Sequence, residues 1–402
     1  MRMLLLALLL ACGGSSRAPA SPVPNPRPPE VSRIVSWTEQ QFAVHDGVYD
    51  DPSVGGRAML EGSADWVCAH KRALHIVGVI QKGDWVQSGW LPETSDWEHA
   101  QHSVAAKFLA CGLPLVIAQG NHDTAGPGSL TPDPDHYQRS FQRFVGGEYD
   151  QLAHEGRGQS TAQCKPRPDG TGFRCKDRLE LHWGRCAQGA PPCLLEKSPL
   201  SNPVAGRRTV FEPSRDVAFL FTPRIGVIAL NWFEGISLPA QEAEQWVASV
   251  VDAHPHVDWI VMQHALIYPE LGIACGTWPG LCALEKRPNV VVMTGGHWTP
   301  KGGNQYEQQV RRVSGKPVAL RIFANFQSLG KAGSWRRGYS AVSNFGWMSL
   351  LEFDFRRGLV GSFSFRPPAA NPHGTHIPGR FGSGEYDYRH QDRAPVKLLP
   401  TQ

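Results

Sequence analysis

Apolar segments of strand length alternate with amphipathic segments over the first third of the chain. The apolar segments predict buried strands at 31–36, 74–82 and 113–119. Helical periodicity between them predicts helices at 56–71 and 95–110, the second beginning with Ser95 and Glu98, which resemble a capping box. Strands that alternate with helices in this way predict βαβ units and a largely parallel sheet.

The alternation stops at about 146–215, a segment rich in Gly, Pro, Arg and Cys with little periodicity. We interpret it as an irregular, disulfide-linked insertion rather than a second domain. Beyond it, strands are predicted at 217–221, 225–230, 259–262, 290–293, 320–324, 348–353 and 359–365, and a helix at 239–253. The sequence therefore predicts one domain over 31–365, followed by an irregular tail at 366–402.

Composition narrows the class of protein. The chain has 402 residues, 41% of them hydrophobic, which is enough for one large domain or two ordinary ones. Its formal net charge is +4, without a dense run of lysine and arginine. We therefore expect no binding to a nucleic-acid scaffold. The sequence does not indicate an oligomeric state.

The N-terminus has the features of a targeting segment. Residues 1–11 carry one charge, at Arg2, before an apolar run that is too short to span a bilayer but suits a signal peptide. The run ends at Cys12 in a pattern that resembles a bacterial lipoprotein processing site, and 12–30 would form a flexible tether. An ordinary secretory signal cut after Ala18-Pro19-Ala20 is the alternative. The first interpretation predicts an exported protein that Cys12 anchors to a bacterial membrane at the cell envelope.

The cysteines agree with export. Nine are present, and removing the lipidated Cys12 leaves an even number, which suits disulfides in an oxidising compartment. Short spacing favours three pairs and leaves a fourth to join two helices: Cys164–Cys175, Cys186–Cys193, Cys275–Cys282 and Cys68–Cys111. A zinc cluster within 164–193 is the competing interpretation, although no Cys-x-x-Cys pair is present there.

Polar motifs follow four of the predicted strands. Gly83-Asp84 follows the second strand, Gly120-Asn121-His122-Asp123 the third, His264 the strand 259–262, and Gly295-Gly296-His297 the strand 290–293. Because ligands bind at the carboxyl ends of strands in open α/β sheets, we expect these motifs to converge on one edge.

The converging side chains suit a divalent metal ion. Asp84, Asn121, His264 and His297 offer mixed oxygen and nitrogen ligands, which favour zinc, manganese or iron over calcium. His122 would lie beside the metal and could protonate a leaving oxygen. Asp123 could orient the His122 ring.

The order of these motifs resembles that of the calcineurin-like metallophosphoesterases, over 31–365 with the insertion excluded. The resemblance implies an α/β fold in which two mixed β-sheets pack as a sandwich flanked by helices. It implies two metal ions bridged by Asp84, the second also held by Asn121, His264 and His297. It also implies that His122 is the proton donor and Asp123 its orienting acid.

Two departures affect the first metal site that the resemblance implies. The family opens with Asp-x-His, or with Ser-Asp-Thr-Gln in one branch, whereas this chain has Ser36-Trp37-Thr38-Glu39. Trp37 therefore occupies the aspartate position, and Glu39, a possible weak ligand, could still bind the first metal through oxygen. The closing second histidine is replaced by Thr299. The resemblance therefore implies one or two divalent ions per chain, with the second site complete.

The predicted function is metal-dependent hydrolysis of a phosphomonoester or phosphodiester at the cell envelope. A metal-activated water would be the nucleophile and His122 the proton donor. The alternative is a catalytically degenerate scaffold that acts as an envelope ligand-binding lipoprotein, in which Trp37 supplies a stacking surface. A serine hydrolase is not supported, because the chain has no Gly-x-Ser-x-Gly motif.

Overall fold

The structure, a computed structural model, describes the residues that form the folded body of the protein. They are 30–37, 41–44, 49, 56–86, 96–118, 120–123, 164–166, 173–175, 186, 190–198, 216–230, 237–268, 274–275, 279–297, 306–313, 316–325, 347–365 and 367. The predicted signal peptide and Cys12, and nearly all of the predicted tether and tail, lie outside these residues. Their predicted roles therefore remain predictions.

One of the two large sheets contains both ends of the described chain. Its strands are β1 (Val31–Trp37), β2 (Ile76–Gln81), β3 (Leu115–Ile117), β15 (Met348–Asp354) and β16 (Leu359–Phe365). Their order across the sheet is β16-β15-β1-β2-β3. The pairs β1/β2 and β2/β3 are parallel, whereas β15 is antiparallel to both β1 and β16.

The second large sheet is formed by the middle of the chain. Its strands are β6 (Cys193–Lys197), β7 (Val217–Leu220), β8 (Ile225–Leu230), β9 (Asp258–Gln263), β12 (Val290–Gly295), β13 (Tyr306–Val313) and β14 (Lys316–Ala324). Their order is β13-β14-β12-β9-β8-β7-β6, with a parallel centre from β8 to β14 and antiparallel strands on both sides. Two short hairpins complete the described strands: β4 (Cys164–Pro166) with β5 (Phe173–Cys175), and β10 (Ile267–Tyr268) with β11 (Ala274–Cys275).

Helices cover the outer faces of the sheets. Before β3 they are Gln41–Val44, Gly56–His70, Asp96–Ala100 and Ala106–Ala110, the last two joined by the π-helical turn Gln101–Ala105. After β8 they are Ser237–Ala253, Pro279–Ala283 and the 3-10 turn Leu284–Lys286. Among the described residues, no helix is long and apolar enough to cross a membrane.

Three apolar clusters define four layers. Ile34 and Leu351 of the first sheet pack with Val227 and Ile260 of the second, so the two sheets lie face to face. On the outer face of the first sheet, side chains including Val35 pack against the helices before β3. A corresponding cluster joins the second sheet to Ser237–Ala253. Because both faces of each sheet are covered, the parallel strands β2, β3, β8 and β12 are apolar at nearly every position.

The architecture agrees with the fold expected from the resemblance and corrects three expectations drawn from the sequence pattern. The sheets are mixed rather than largely parallel, because β15 and β16 at the end of the chain return beside β1. The insertion is not wholly irregular, since β6 within it pairs with β7 at the edge of the second sheet. The third strand is also shorter than 113–119, because it pairs with β2 only over Leu115–Ile117.

Disulfides confirm two predicted pairs. Cys68 is bonded to Cys111 and Cys186 to Cys193. The second bond contradicts a zinc cluster that uses those two thiols. Cys282 is also in a disulfide, and the β4/β5 ladder places Cys164 opposite Cys175 in register. The side chains of Cys164, Cys175 and Cys275 lie outside the described structure, so their two predicted pairings remain predictions.

We expect the Cys68–Cys111 bond to stabilise the fold more than the Cys186–Cys193 bond does. The first has a sequence separation of 43 residues and the second a separation of only 7. Loop-closure entropy predicts a loss of about 4 kcal/mol for Cys68→Ala with Cys111→Ala, against about 2 kcal/mol for Cys186→Ala with Cys193→Ala. Urea unfolding of the two double variants measures the difference, and an equal loss would contradict the entropic explanation.

Candidate metal centre

The four predicted ligands come from the carboxyl ends of parallel strands in both sheets. Asp84 follows β2 and Asn121 follows β3 in the first sheet, whereas His264 follows β9 and His297 follows β12 in the second. Since the sheets pack face to face, these four ends meet at one edge of the sandwich. The structure thus brings together all four residues that the sequence predicts as ligands.

The polar atoms of these side chains converge on His264. Its Nε2 atom lies 3.1 Å from Asp84 Oδ1, 3.2 Å from Asn121 Oδ1 and 3.2 Å from His297 Nδ1. One ligand atom from each of Asp84, His264 and His297 lies within 4.8 Å of the other two. Tetrahedral ligands at metal bonds near 2.1 Å would be separated by about 3.4 Å, so the observed spacing fits a shared ion.

The tautomer of His264 supports a cation at this point. His264 Nδ1 lies 3.0 Å from the carbonyl oxygen of Lys82. Because a carbonyl oxygen only accepts hydrogen bonds, Nδ1 carries a proton, and Nε2 is the ring nitrogen left to bind a metal ion. Nε2 faces the acceptor oxygens of Asp84 and Asn121. A proton on Nε2 would form a hydrogen bond to one of these two oxygens at a time, whereas a metal ion would bind Nε2 and both oxygens together.

The backbone is strained at two of the candidate ligands. Asp84 has φ 52° and His297 has φ 68°, in the left-handed region that non-glycine residues rarely adopt. Gly83, just before Asp84, has φ 102°. A Cβ at Gly83 would lie 2.6 Å from His264 Nδ1, so only glycine allows this turn to approach the imidazole. Strain of this kind is concentrated at functional sites.

The turn after β3 packs directly on Asp84. The His122 amide donates to Asp84 Oδ1 at 2.9 Å. A Cβ at Gly120 would overlap the Asp84 amide nitrogen and Oδ1, so the two loops fit together only with glycine at this position. The His122 side chain is half-buried, and its charge contributes to lowering the pKa values of Asp84 and His297. His122 thus lies beside the candidate ligands, where the sequence predicted it.

The described hydrogen bonds of Asp123 are to backbone amides. Its carboxylate accepts hydrogen bonds from the amides of Trp85 at 2.8 Å and Val86 at 3.1 Å through Oδ1, and from Gly120 at 2.8 Å through Oδ2. The fully buried Asp123 is therefore bonded to backbone amides rather than to the His122 ring. It joins the loop after β2 to the loop after β3, and so holds Asp84 and Asn121 in place.

The ionisation of the cluster favours metal binding. Burial raises the pKa of the Asp84 carboxyl, but the imidazoles of His264 and His122 outweigh burial and hold that pKa below its usual range. Burial and the charge of His264 lower the pKa of His297 to about 3. An ionised aspartate and a neutral histidine are the forms that bind metal at neutral pH. Burial and the charge of Asp84 raise the pKa of Asp123 to about 7.

Of the residues predicted around a first metal site, the structure describes Trp37, which lies away from the cluster. Trp37 is 1% exposed and packs on Phe108, with ring centroids 5.3 Å apart, on the helix-covered face of the sheet. Trp37 therefore offers no stacking surface to a ligand. Because side chains alternate along a strand, Ser36 faces the other way, toward the interior between the two sheets. The Ser36 hydroxyl is buried without a hydrogen-bond partner in the part of the chain that the structure describes. Glu39 and Thr299 lie outside that part.

Sequence reasoning missed two side chains that support the cluster. The side chain of Gln81 bonds to the turn before Asp84. Its Nε2 atom donates to the Gly83 carbonyl, and its Oε1 atom accepts from the Gly83 backbone amide. Lys82 is fully buried and donates from Nζ to the carbonyls of Gly295 and Ala324. The available signal was a lysine at the end of a buried strand, because a charged residue there needs internal partners.

Comparisons with known proteins do not assign a family. No family model matches the chain, and no curated protein matches it. Among solved structures, GAP50, described as the anchor in the inner membrane complex of Plasmodium, is similar with a TM-score of 0.43 and 11% identity, covering 86% of this chain and 87% of that one.

Two further structures are similar over much of this chain. A putative 5′-nucleotidase from Staphylococcus aureus has a TM-score of 0.36 and 10% identity and covers 80% of this chain. The 5′-nucleotidase from Candida albicans has a TM-score of 0.34 and 12% identity and also covers 80%. This chain spans 50% and 47% of those two proteins. These similarities assign no function to this chain, so the chemistry of the site depends on its own side chains.

We expect Gly120→Ala to weaken metal binding at least tenfold, because the added methyl group displaces Asp84. Gly112→Ala is the matched control. Gly112 has φ 75°, but a Cβ there would lie 3.9 Å from its nearest neighbour, Lys71 Nζ. The control should lose about 1 kcal/mol of stability and keep its metal affinity. Isothermal titration with Mn²⁺ or Zn²⁺ measures the metal affinity of the two variants, and equal affinities would contradict the assigned role of the Gly120 contact.

Proposed function

We propose that the protein is a metal-dependent phosphoesterase that hydrolyses a phosphomonoester or a phosphodiester. The observation that carries the proposal is the convergence of Asp84 Oδ1, Asn121 Oδ1 and His297 Nδ1 on His264 Nε2, which is a set of acceptors suited to a divalent cation. The order of the motifs, which resembles that of calcineurin-like metallophosphoesterases, supports the same class of reaction.

One divalent ion is the expected occupancy. Asp84, Asn121, His264 and His297 would hold it, and their mixed ligand set suits zinc, manganese or iron. A bound divalent ion polarises a phosphoryl oxygen and lowers the pKa of water. Since Trp37 faces the helices and Ser36 presents only a hydroxyl, the described residues offer few ligands for a second ion.

The surrounding residues would position the substrate and move the proton. His122 lies beside the cluster and is half-buried, so its imidazole can reach a bound phosphate ester. In the proposed reaction it protonates the leaving oxygen. Asp123 would act through the backbone, because its hydrogen bonds fix the loops that carry Asp84, Asn121 and His122.

The cellular location is part of the proposal. The disulfides at Cys68–Cys111 and Cys186–Cys193 are typical of proteins in oxidising compartments. Together with the signal-like residues 1–11, they support export. Lipidation of Cys12 would then anchor the protein to a bacterial membrane, with a phosphate ester of the envelope as its substrate.

Metal content is the first test. Purified protein dialysed against a metal-free buffer and then loaded with Zn²⁺ or Mn²⁺ should retain about one ion per chain by elemental analysis, because four ligands surround one position. His297→Ala should lose most of it, whereas His254→Ala should not, since His254 follows the helix Ser237–Ala253 at the opposite end of β9. Unchanged metal content in His297→Ala would show that the ligand assignment is wrong.

Turnover is the second test. We expect hydrolysis of phenyl phosphate and 4-nitrophenyl phosphate, or of their diesters, with added Mn²⁺ or Zn²⁺. His122→Ala should reduce kcat for the phenyl ester by roughly 10²-fold or more. It should reduce kcat for the 4-nitrophenyl ester much less, because 4-nitrophenolate leaves readily without a proton. His254→Ala again serves as the control.

The two tests separate catalysis from binding alone. A folded protein that holds one ion and hydrolyses none of these esters would favour the ligand-binding scaffold. Equal losses for both leaving groups in His122→Ala would contradict its role as proton donor while leaving the metal site intact. A folded protein that holds no ion would contradict both functions.

A further inference from the structure

Lys82 is a fully buried lysine beside the candidate metal centre. It lies between the last residue of β2 and the Gly83-Asp84 turn. Among the described residues, the other buried lysine or arginine side chain is that of Arg321, which pairs with the Glu285 carboxylate at 2.8 Å. The Nζ atom of Lys82 instead donates to the carbonyl oxygens of Gly295 and Ala324, each at 3.3 Å.

The two carbonyls belong to the opposite sheet. Gly295 ends β12 and Ala324 ends β14, and these neighbouring strands are parallel. The main chain of Lys82 continues β2 of the first sheet. Its side chain therefore crosses from one sheet to the other, at the edge where the candidate ligands lie.

The main chain of Lys82 also contacts the cluster. Its carbonyl oxygen accepts the hydrogen bond from His264 Nδ1 at 3.0 Å, and Asp84 follows two residues later. Gly295 precedes His297 by two residues. Lys82 is thus connected to three of the candidate ligands. It precedes Asp84 by two residues, its carbonyl bonds to the His264 ring, and its ammonium bonds to the strand end that leads to His297.

An ammonium group suits this position for a physical reason. Burying it is unfavourable unless its N–H groups find acceptors, and the carbonyls at the ends of β12 and β14 supply them. The backbone of Gly295 packs closely on that of Ile267, since a Cβ at Gly295 would lie 2.9 Å from the Ile267 amide nitrogen. The hydrogen bonds therefore join Lys82 to the ends of two paired strands.

We propose that Lys82 is a positioning residue that holds the ligand-bearing edges of the two sheets at the separation needed for metal binding. The inference rests on the metal site proposed above. It predicts that the ammonium contributes to metal affinity without touching the ion, by placing His297 from the second sheet opposite Asp84 of the first.

The test compares Lys82→Met with a matched packing variant. Methionine keeps an unbranched chain of similar length but removes the ammonium, so we expect Co²⁺ affinity to fall at least tenfold in a protein with a native circular dichroism spectrum. The visible absorption spectrum of bound Co²⁺ should also change in intensity, because it reports the arrangement of ligands. Val291→Ala, also in the interior between the sheets, loosens β12 without removing a hydrogen bond from Lys82, and it should keep the wild-type affinity and spectrum.

The outcomes distinguish this inference from the proposed function. Wild-type protein that binds no Co²⁺ contradicts the metal site itself. Wild-type and Lys82→Met proteins that bind Co²⁺ with the same affinity and spectrum contradict the role of Lys82 alone, as does an equal loss in Val291→Ala. Should Lys82→Met fail to fold, Lys82→Gln must show the weakened binding. If neither variant folds, Lys82 supports the fold as a whole and the inference is wrong.

Discussion

The face-to-face packing of the two sheets is the constraint on which the candidate site depends. Each sheet contributes two of the four side chains, so neither sheet contains a metal site by itself. The apolar interior, with Ile34 and Leu351 on one side and Val227 and Ile260 on the other, sets how the sheets meet. Backbone amides that donate to Asp123, and the hydrogen bonds of the Gln81 and Lys82 side chains, then fix the positions of the loops at the edge.

The loops at that edge are built against ordinary backbone preference. Left-handed conformations at Asp84 and His297 are unfavourable for L-residues, and they persist because packing on both sides determines them. Asp123, fully buried, bonds to three amides instead of to solvent. Such an arrangement is typical of a preorganised site, in which the ligands are in place before the ion binds.

The sequence indicated the four candidate ligands because each follows an apolar run that forms a buried strand, namely β2, β3, β9 or β12. The strands β6 and β13 were not predicted, since β6 is short and ends in Glu196-Lys197 and β13 is mostly polar, so neither forms a continuous apolar run. The partners of Asp123 and Lys82 could not be predicted either. Their hydrogen bonds join segments far apart in sequence, up to 242 residues for Lys82 and Ala324, and depend on how the sheets approach.

The face on which a strand-end residue lies also depends on register. The motif comparison put Trp37 at the site, but alternation along β1 directs Trp37 to the helices and Ser36 to the interior. A shift of one position along a strand exchanges its two faces. Motif spacing alone therefore identifies a strand end more reliably than it identifies the side chain that faces the site.

The pairing of β1 with β15 has a consequence for biosynthesis. The first described strand lies beside a strand that is made more than three hundred residues later, and the Phe355 amide bonds to the Glu30 carbonyl. The first sheet therefore cannot close until nearly the whole polypeptide has left the ribosome.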